Sequence, residues 1–157
     1  MDTINSVIAA LDNAPGLVVP LVRAVPIDLL KRRPAPQVWS AHEHACHLAQ
    51  VHPLFFARLD LMLHDDHPVI KPYFPDVDDA DDALLHVDLN EALTRFVDER
   101  RTLVARLKTL AAGDWQRTAE HGEYNQYSIF IMFRHLALHD LTHAYYIEEL
   151  LLKKDWA

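Results

Sequence analysis

The chain has 157 residues, 50% apolar and 24% charged, enough for one globular domain over residues 1–157 that buries a core without staples. A formal net charge of −8 argues against a phosphate-binding surface, so no nucleic-acid partner is expected. The single Cys46 excludes an internal disulfide and fits a reducing cytoplasm, and neither a signal peptide nor a membrane span of ~20 apolar residues is evident.

Only three glycines, with many Ala, Leu and Asp, favour helices over strands. Asp2 or Thr3 can cap a first helix with Ile4, Val7, Ile8 and Leu11 on its apolar face. Asn13-Ala14-Pro15-Gly16 is expected to break it, and a new segment then runs to Pro26 with a kink at Pro20. Lys31 to Pro36, with three cations and two prolines, reads as an exposed linker. Ser40-Ala41-His42-Glu43 is a capping box that opens a second long helix, kinked or briefly broken at Pro53 and ending near His64.

Residues 65–87 hold Pro68, Pro72 and Pro75 and the acids Asp76, Asp78, Asp79, Asp81 and Asp82. This is a crossover loop with one helical turn; it lacks the Gly and terminal Glu of a calcium loop, so a solvated acidic stretch is expected. Asp88-Leu89-Asn90-Glu91 caps a third helix, carried by Leu93, Phe96, Leu103, Leu107 and Leu110 and ended by a left-handed Gly113. A polar stretch follows, anchored by Trp115 and turned at Gly122, before a last helix from about Ser128 to Lys153. The sum is an all-α protein, a four-helix bundle with one long crossover.

Eleven histidines are many for this length, and three of them, His135, His139 and His143, form a stripe on the last helix. Positions four apart share a face, so two of these imidazoles can meet one metal ion, with a third ligand from a facing helix. The second helix offers His42, His44 and His47. His47 lies two turns inside the cap, where packing holds its ring; His42 and His44 read as solvated or at a pocket rim. His52, His64, His67, His86 and His121 are expected to share no role. Cys46 points about 100° away from its neighbour His47 and reads as a small buried hydrophobe.

Trp39-Ser40 followed by His47-Leu48-Ala49, then His135-x3-His139-Asp140-x2-His143 and Ile147, resembles the DinB/YfiT-like superfamily of helical bundles. The resemblance covers nearly the whole chain, with Pro72-Tyr73 in the crossover and Trp115-x2-Thr118 before the last helix. It implies three metal ligands, His47, His139 and His143, with His135 lining the pocket. The chain departs from the common pattern at Tyr145-Tyr146, where members often carry Gly-Gln, and at Thr142, where many carry a second His. Those changes touch the substrate side and leave the ligands intact.

Three neutral imidazoles leave an ion its full charge and an open position, as in catalytic sites. Such an ion lowers the pKa of bound water to about 7, or polarises a carbonyl or thiolate. Nitrogen ligands suit a divalent transition metal, Zn or Ni foremost. Glu43, four residues before His47, is a candidate for orienting a ligand ring, as is Asp140 unless it faces away. Tyr146 is the tyrosine counted with the pocket. The resemblance implies a metal-dependent enzyme of thiol S-transferase type, acting on a small molecule with a low-molecular-weight thiol as cosubstrate. A metal-dependent hydrolase and a non-enzymatic dimeric module are the alternatives, and a homodimer is expected from apolar positions on all the helices.

Overall fold

The computed structural model describes residues 2–74 and 82–154. Among the described residues there are five α-helices: α1 (Asp2–Ala24), α2 (Ala41–Gln50), α3 (His52–His64), α4 (Leu89–Leu107) and α5 (Ile129–Leu152). α2 and α3 form one arm interrupted at Val51, so four arms make the expected all-α four-helix bundle, with α1 and α2 each packed against both α4 and α5. The long crossover lies between α3 and α4. Its Pro75, Asp76, Asp78, Asp79 and Asp81 fall outside the described residues, and a single 3-10 turn, Ala83–His86, follows them.

The expected break at Pro15 does not occur; α1 runs unbroken through Pro15 and Pro20. Proline lacks the N–H that would bond the carbonyl four residues earlier, here Leu11. That carbonyl instead accepts a hydrogen bond from Arg100 Nη1 on α4, at 3.2 Å. Tertiary structure therefore supplies the missing donor, and the helix continues. Asp2 and Thr3, expected as caps, are its first helical residues. Over Thr3–Ala24, with a mean hydropathy of 1.4, α1 is also long and apolar enough to span a bilayer, which corrects the expectation that no stretch is. Here it turns Leu11, Ala14, Val18 and Val22 into the bundle core and leaves Leu17 exposed.

Ser40 caps α2 as its sequence requires. Its Oγ accepts from Glu43 N at 3.3 Å, while Glu43 Oε2 accepts from Ser40 N at 2.9 Å and from Ser40 Oγ at 2.7 Å. Ser40→Ala should cost about 1–2 kcal/mol, read as a lower urea midpoint at unchanged slope. Pro53 sits in the first turn of α3, where its missing N–H is harmless, and the break falls just ahead of it.

Gly113 has φ −69° and is not left-handed, which corrects its expected role. α4 ends earlier, at Leu107, by tightening into i→i+3 bonds from Thr109 N to Arg106 O and Leu110 N to Leu107 O. Downstream, Trp115 is buried edge-on to Phe133. A two-residue parallel pair, β1 (Val69–Ile70) with β2 (Glu120–His121), was not expected from the helical composition. It ties the crossover to the loop before α5, and Gly122 lets that loop approach Pro72, whose ring a Cβ would meet at 3.1 Å. Arg117 fastens the same loop to the end of α3, donating to the Met62 and Asp65 carbonyls at 2.6 and 3.1 Å.

The core divides into two apolar halves. One contains Leu11, Val51, Leu103, Leu136 and Ala137; the other contains Ala14, Ala49, Phe96 and Ala144. On every arm the boundary falls at one level, and a polar layer occupies it. Arg100 is bidentate to Asp140, one contact being 3.1 Å, and also donates to His52 Nε2 at 2.9 Å and to the Leu11 carbonyl. His52 stacks on Phe96 at 5.4 Å, and the Arg100 guanidinium lies 5.0 Å from the same ring. His52 is thus part of the polar layer.

Candidate metal centre

The second arm and the last helix face each other, and their buried phases bring three imidazoles together. His47 Nε2 lies 3.1 Å from His139 Nε2, and His143 Nε2 lies 3.0 Å from the same atom. One ligand atom from each of His47, His139 and His143 falls within 4.8 Å of the other two. Nitrogens 2.0–2.1 Å from a tetrahedral ion would stand about 3.3 Å apart. The cluster is therefore close to the spacing a shared ion requires.

The donor chemistry fits too. Burial, and then the neighbouring imidazoles, pushes His47 and His139 down to about 3 and His143 to about 2. All three rings are neutral at pH 7 and offer lone pairs without first losing a proton. Between neutral rings each of these contacts needs a proton on one of its two Nε2 atoms, whereas a cation there would take a lone pair from all three. Moreover, the buried Nδ1 atoms of His47 and His139 find no hydrogen-bond partner among the described residues.

Burial of neutral histidines sets a pH dependence. His44 is pushed to about 4 by burial and His52 to about 3 by burial and then Arg100. Folded values lie below the unfolded value near 6.5, so the unfolded chain binds more protons in acid. Stability is complete above that value and falls as pH drops toward 4. Metal-free protein should lose stability from pH 6.5 downward, by up to about 1.4 kcal/mol per pH unit for each such ring. A urea midpoint that stays level from pH 7 to pH 4.5 would contradict neutral, dry imidazoles.

Of the other expected site residues, Glu43 and Asp140 are held by arginines, and His135 and Tyr146 lie beside the rings. Glu43 does not reach His47. It closes the α2 cap and forms an ion pair with Arg33, whose Nε donates to the two carboxylate oxygens at 3.1 and 3.0 Å. Asp140 faces away from the rings and is held by Arg100. His135 lines the same pocket as the triad, one turn before His139, with Tyr124 edge-on at 5.8 Å. Tyr146 lies on the far side of the site, stacked on His44 at 5.3 Å.

His44 is buried rather than solvated, with its Nδ1 2.8 Å from His143 Nδ1, and His42 is buried with its Nε2 3.1 Å from the Leu84 carbonyl. Cys46 is buried, its thiol pushed up to about 12, as a small hydrophobe should be. Trp39 backs the cluster, its ring centroid 4.9 Å from His47 and 6.0 Å from His143.

The triad opens into a cavity of about 380 Å³. Its walls are mostly aromatic, from Trp39, Phe55, Tyr73, Phe74, Tyr124 and Tyr127, with Arg58 and Glu123 as charged groups. Both loops tied by the parallel pair contribute to it, the crossover through Pro72 to Phe74 and the later loop through His121 to Tyr127. A small organic molecule fits such a volume and lining.

Known proteins resemble this chain in the same terms. The sequence profile of the DinB superfamily matches residues 10–147. A protein of Oceanobacillus iheyensis, provisionally named a metal-dependent hydrolase, is 29% identical over 123 residues, covering 75% of this chain and 68% of its own. YfiT from Bacillus subtilis, described as a probable metal-dependent hydrolase with an unusual four-helix bundle topology, superposes with a TM-score of 0.83 at 21% identity. That superposition covers 94% of this chain and 85% of YfiT, and it carries the fold alone.

Proposed function

This chain belongs to the DinB superfamily, and from that premise we propose that it is a metal-dependent enzyme joining a low-molecular-weight thiol to a small electrophile. His47, His139 and His143 would hold the ion, zinc or nickel, through their Nε2 atoms. The observation that carries the reading is the meeting of three imidazoles, His47 and His143 buried and His139 half-buried, beside a cavity lined by aromatic side chains. A divalent ion held by them supplies a Lewis acid with its charge undiminished, which lowers the pKa of a thiol or water bound to it.

The chain's own residues do the rest. Asp140 and Glu43 are committed to Arg100 and Arg33, so neither adds negative charge to the centre or serves as a base. With no carboxylate among the ligands the ion would keep its full charge to hold and activate a thiolate, and this supports the thiol reading. In the transfer, the thiol sulfur bonds to the electrophilic carbon, the leaving group departs with its electron pair, and the thiol proton passes to a base. His135, which lines the cavity, would take that proton. Tyr73, Tyr124 and Tyr127 pack the organic part of either substrate.

A hydrolase is the second reading, favoured by the names of the two relatives. Cobalt substitution separates the two. The visible spectrum of the cobalt protein should shift as a cellular thiol is titrated in, and product should form only with thiol present. Indifference to every cellular thiol, together with hydrolysis of esters or amides in their absence, would move the assignment to the hydrolase. For the expected homodimer, the same reading offers the exposed face of α5, where Leu138, Leu141, Tyr145 and Leu152 stand outward. Sedimentation of wild type against Leu141→Glu tests that face.

A further inference from the structure

His143 belongs to α5 and His44 to α2, and their Nδ1 atoms are 2.8 Å apart. A hydrogen bond between two neutral rings needs one proton on one of the two nitrogens. His143 turns its other nitrogen, Nε2, toward His139 and the point where the triad meets. For Nε2 to give its lone pair to an ion, the ring's proton must be on Nδ1. The bond then has one direction. His143 Nδ1–H donates to the lone pair of His44 Nδ1, and His44 carries its own proton on Nε2.

We propose that His44 is a positioning residue of the metal centre, a neutral imidazole acceptor that fixes the orientation and tautomer of His143. The inference rests on the triad being a metal centre. It goes beyond the ligand set by assigning a fourth histidine a defined, non-ligating role. His44 is itself held: it is 7% exposed, with Trp39 edge-on at 5.5 Å and Tyr146 stacked at 5.3 Å. The Nδ1 atoms of His47 and His139 have no partner among the described residues, so His143 is the member of the triad whose ring is oriented from behind. The acceptor's charge matters as well. A carboxylate in this position would add a negative charge beside the ion, whereas an imidazole orients the ligand and leaves the ion's charge intact.

The test is zinc affinity, measured by chelator competition on wild type, His44→Leu and His44→Asn. Leucine removes the acceptor; asparagine restores an oxygen near the place of Nδ1. His44→Leu should weaken zinc binding 10–100-fold, the range for partners that orient metal ligands. His44→Asn should recover to within a few-fold of wild type, and the metal-free variants should unfold at similar temperatures. Equal affinity for wild type and His44→Leu would overturn the proposal. Should His44→Leu fail to fold, nitrogen-15 spectra of zinc-loaded wild type decide: a His143 Nδ1 proton coupled to His44 Nδ1 supports it, and its absence sinks it. Failure of the underlying reading looks different, since wild type would then bind no zinc, or His139→Ala would bind it as well as wild type.

Discussion

His139→Ala is expected to abolish stoichiometric metal binding, taking the protein from about one bound divalent ion to near none when purified without chelators or a histidine tag. His139 is central because its Nε2 is the atom both other rings approach, at 3.1 and 3.0 Å. Its removal leaves two nitrogens where three are needed, so the affinity loss should exceed the 10–100-fold seen on removing an orienting partner. A linked readout is thermal stability. Metal at 100 times its dissociation constant stabilises the folded state by about 2.7 kcal/mol, or roughly 5–11 °C for a chain of this size. His139→Ala should show none of that shift. Its metal-free form should be at least as stable in mild acid as wild type, because one buried ring that resists protonation is gone. Retention of a full equivalent of metal in the variant would remove the triad from consideration.

Much of this site was legible before any coordinates, for definite reasons. A four-residue spacing is a geometric statement on a helix, so His139 and His143 announced a shared face. The family's motif then placed His47 opposite them. What escaped was the role of neighbours, because whether a polar side chain is buried depends on which arm packs over it. The place of His44 in the first turns of α2 suggests solvent or a pocket rim; it lines a pocket, and Trp39 and Tyr146 cover it.

Nothing local in the sequence ties Glu43 to Arg33, whose guanidinium reaches it from the linker before α2. The polar layer does have a signal in the sequence. Arg100 continues the apolar phase of Phe96, Leu103 and Leu107, and Asp140 continues that of Leu136 and Ile147. A cation on one buried stripe and an anion on another demand each other. Pro15 belongs to the same story. Local rules break a helix there, but Arg100 lies 89 residues beyond Leu11 in sequence, and no local rule can see the donor it brings to that carbonyl.

Asp140→Ala is expected to be among the most destabilising single changes in the protein, at about 3–5 kcal/mol, because it strands a buried guanidinium without its counter-charge. For a chain of this length that is a fall of roughly 6–20 °C in melting temperature. The pair should not behave as an isolated salt bridge. Replacing both charges by apolar residues of similar volume is often neutral for an isolated buried pair. Here Arg100 also serves the Leu11 carbonyl, orphaned by Pro15, and His52 Nε2. Arg100→Met with Asp140→Leu should therefore recover only part of the loss, since two buried acceptors remain unpaired at about 1–3 kcal/mol each. Urea unfolding of the two singles and the double measures this directly. Full recovery in the double variant would mean that the layer is a simple ion pair, and that the continuity of α1 through Pro15 does not depend on Arg100.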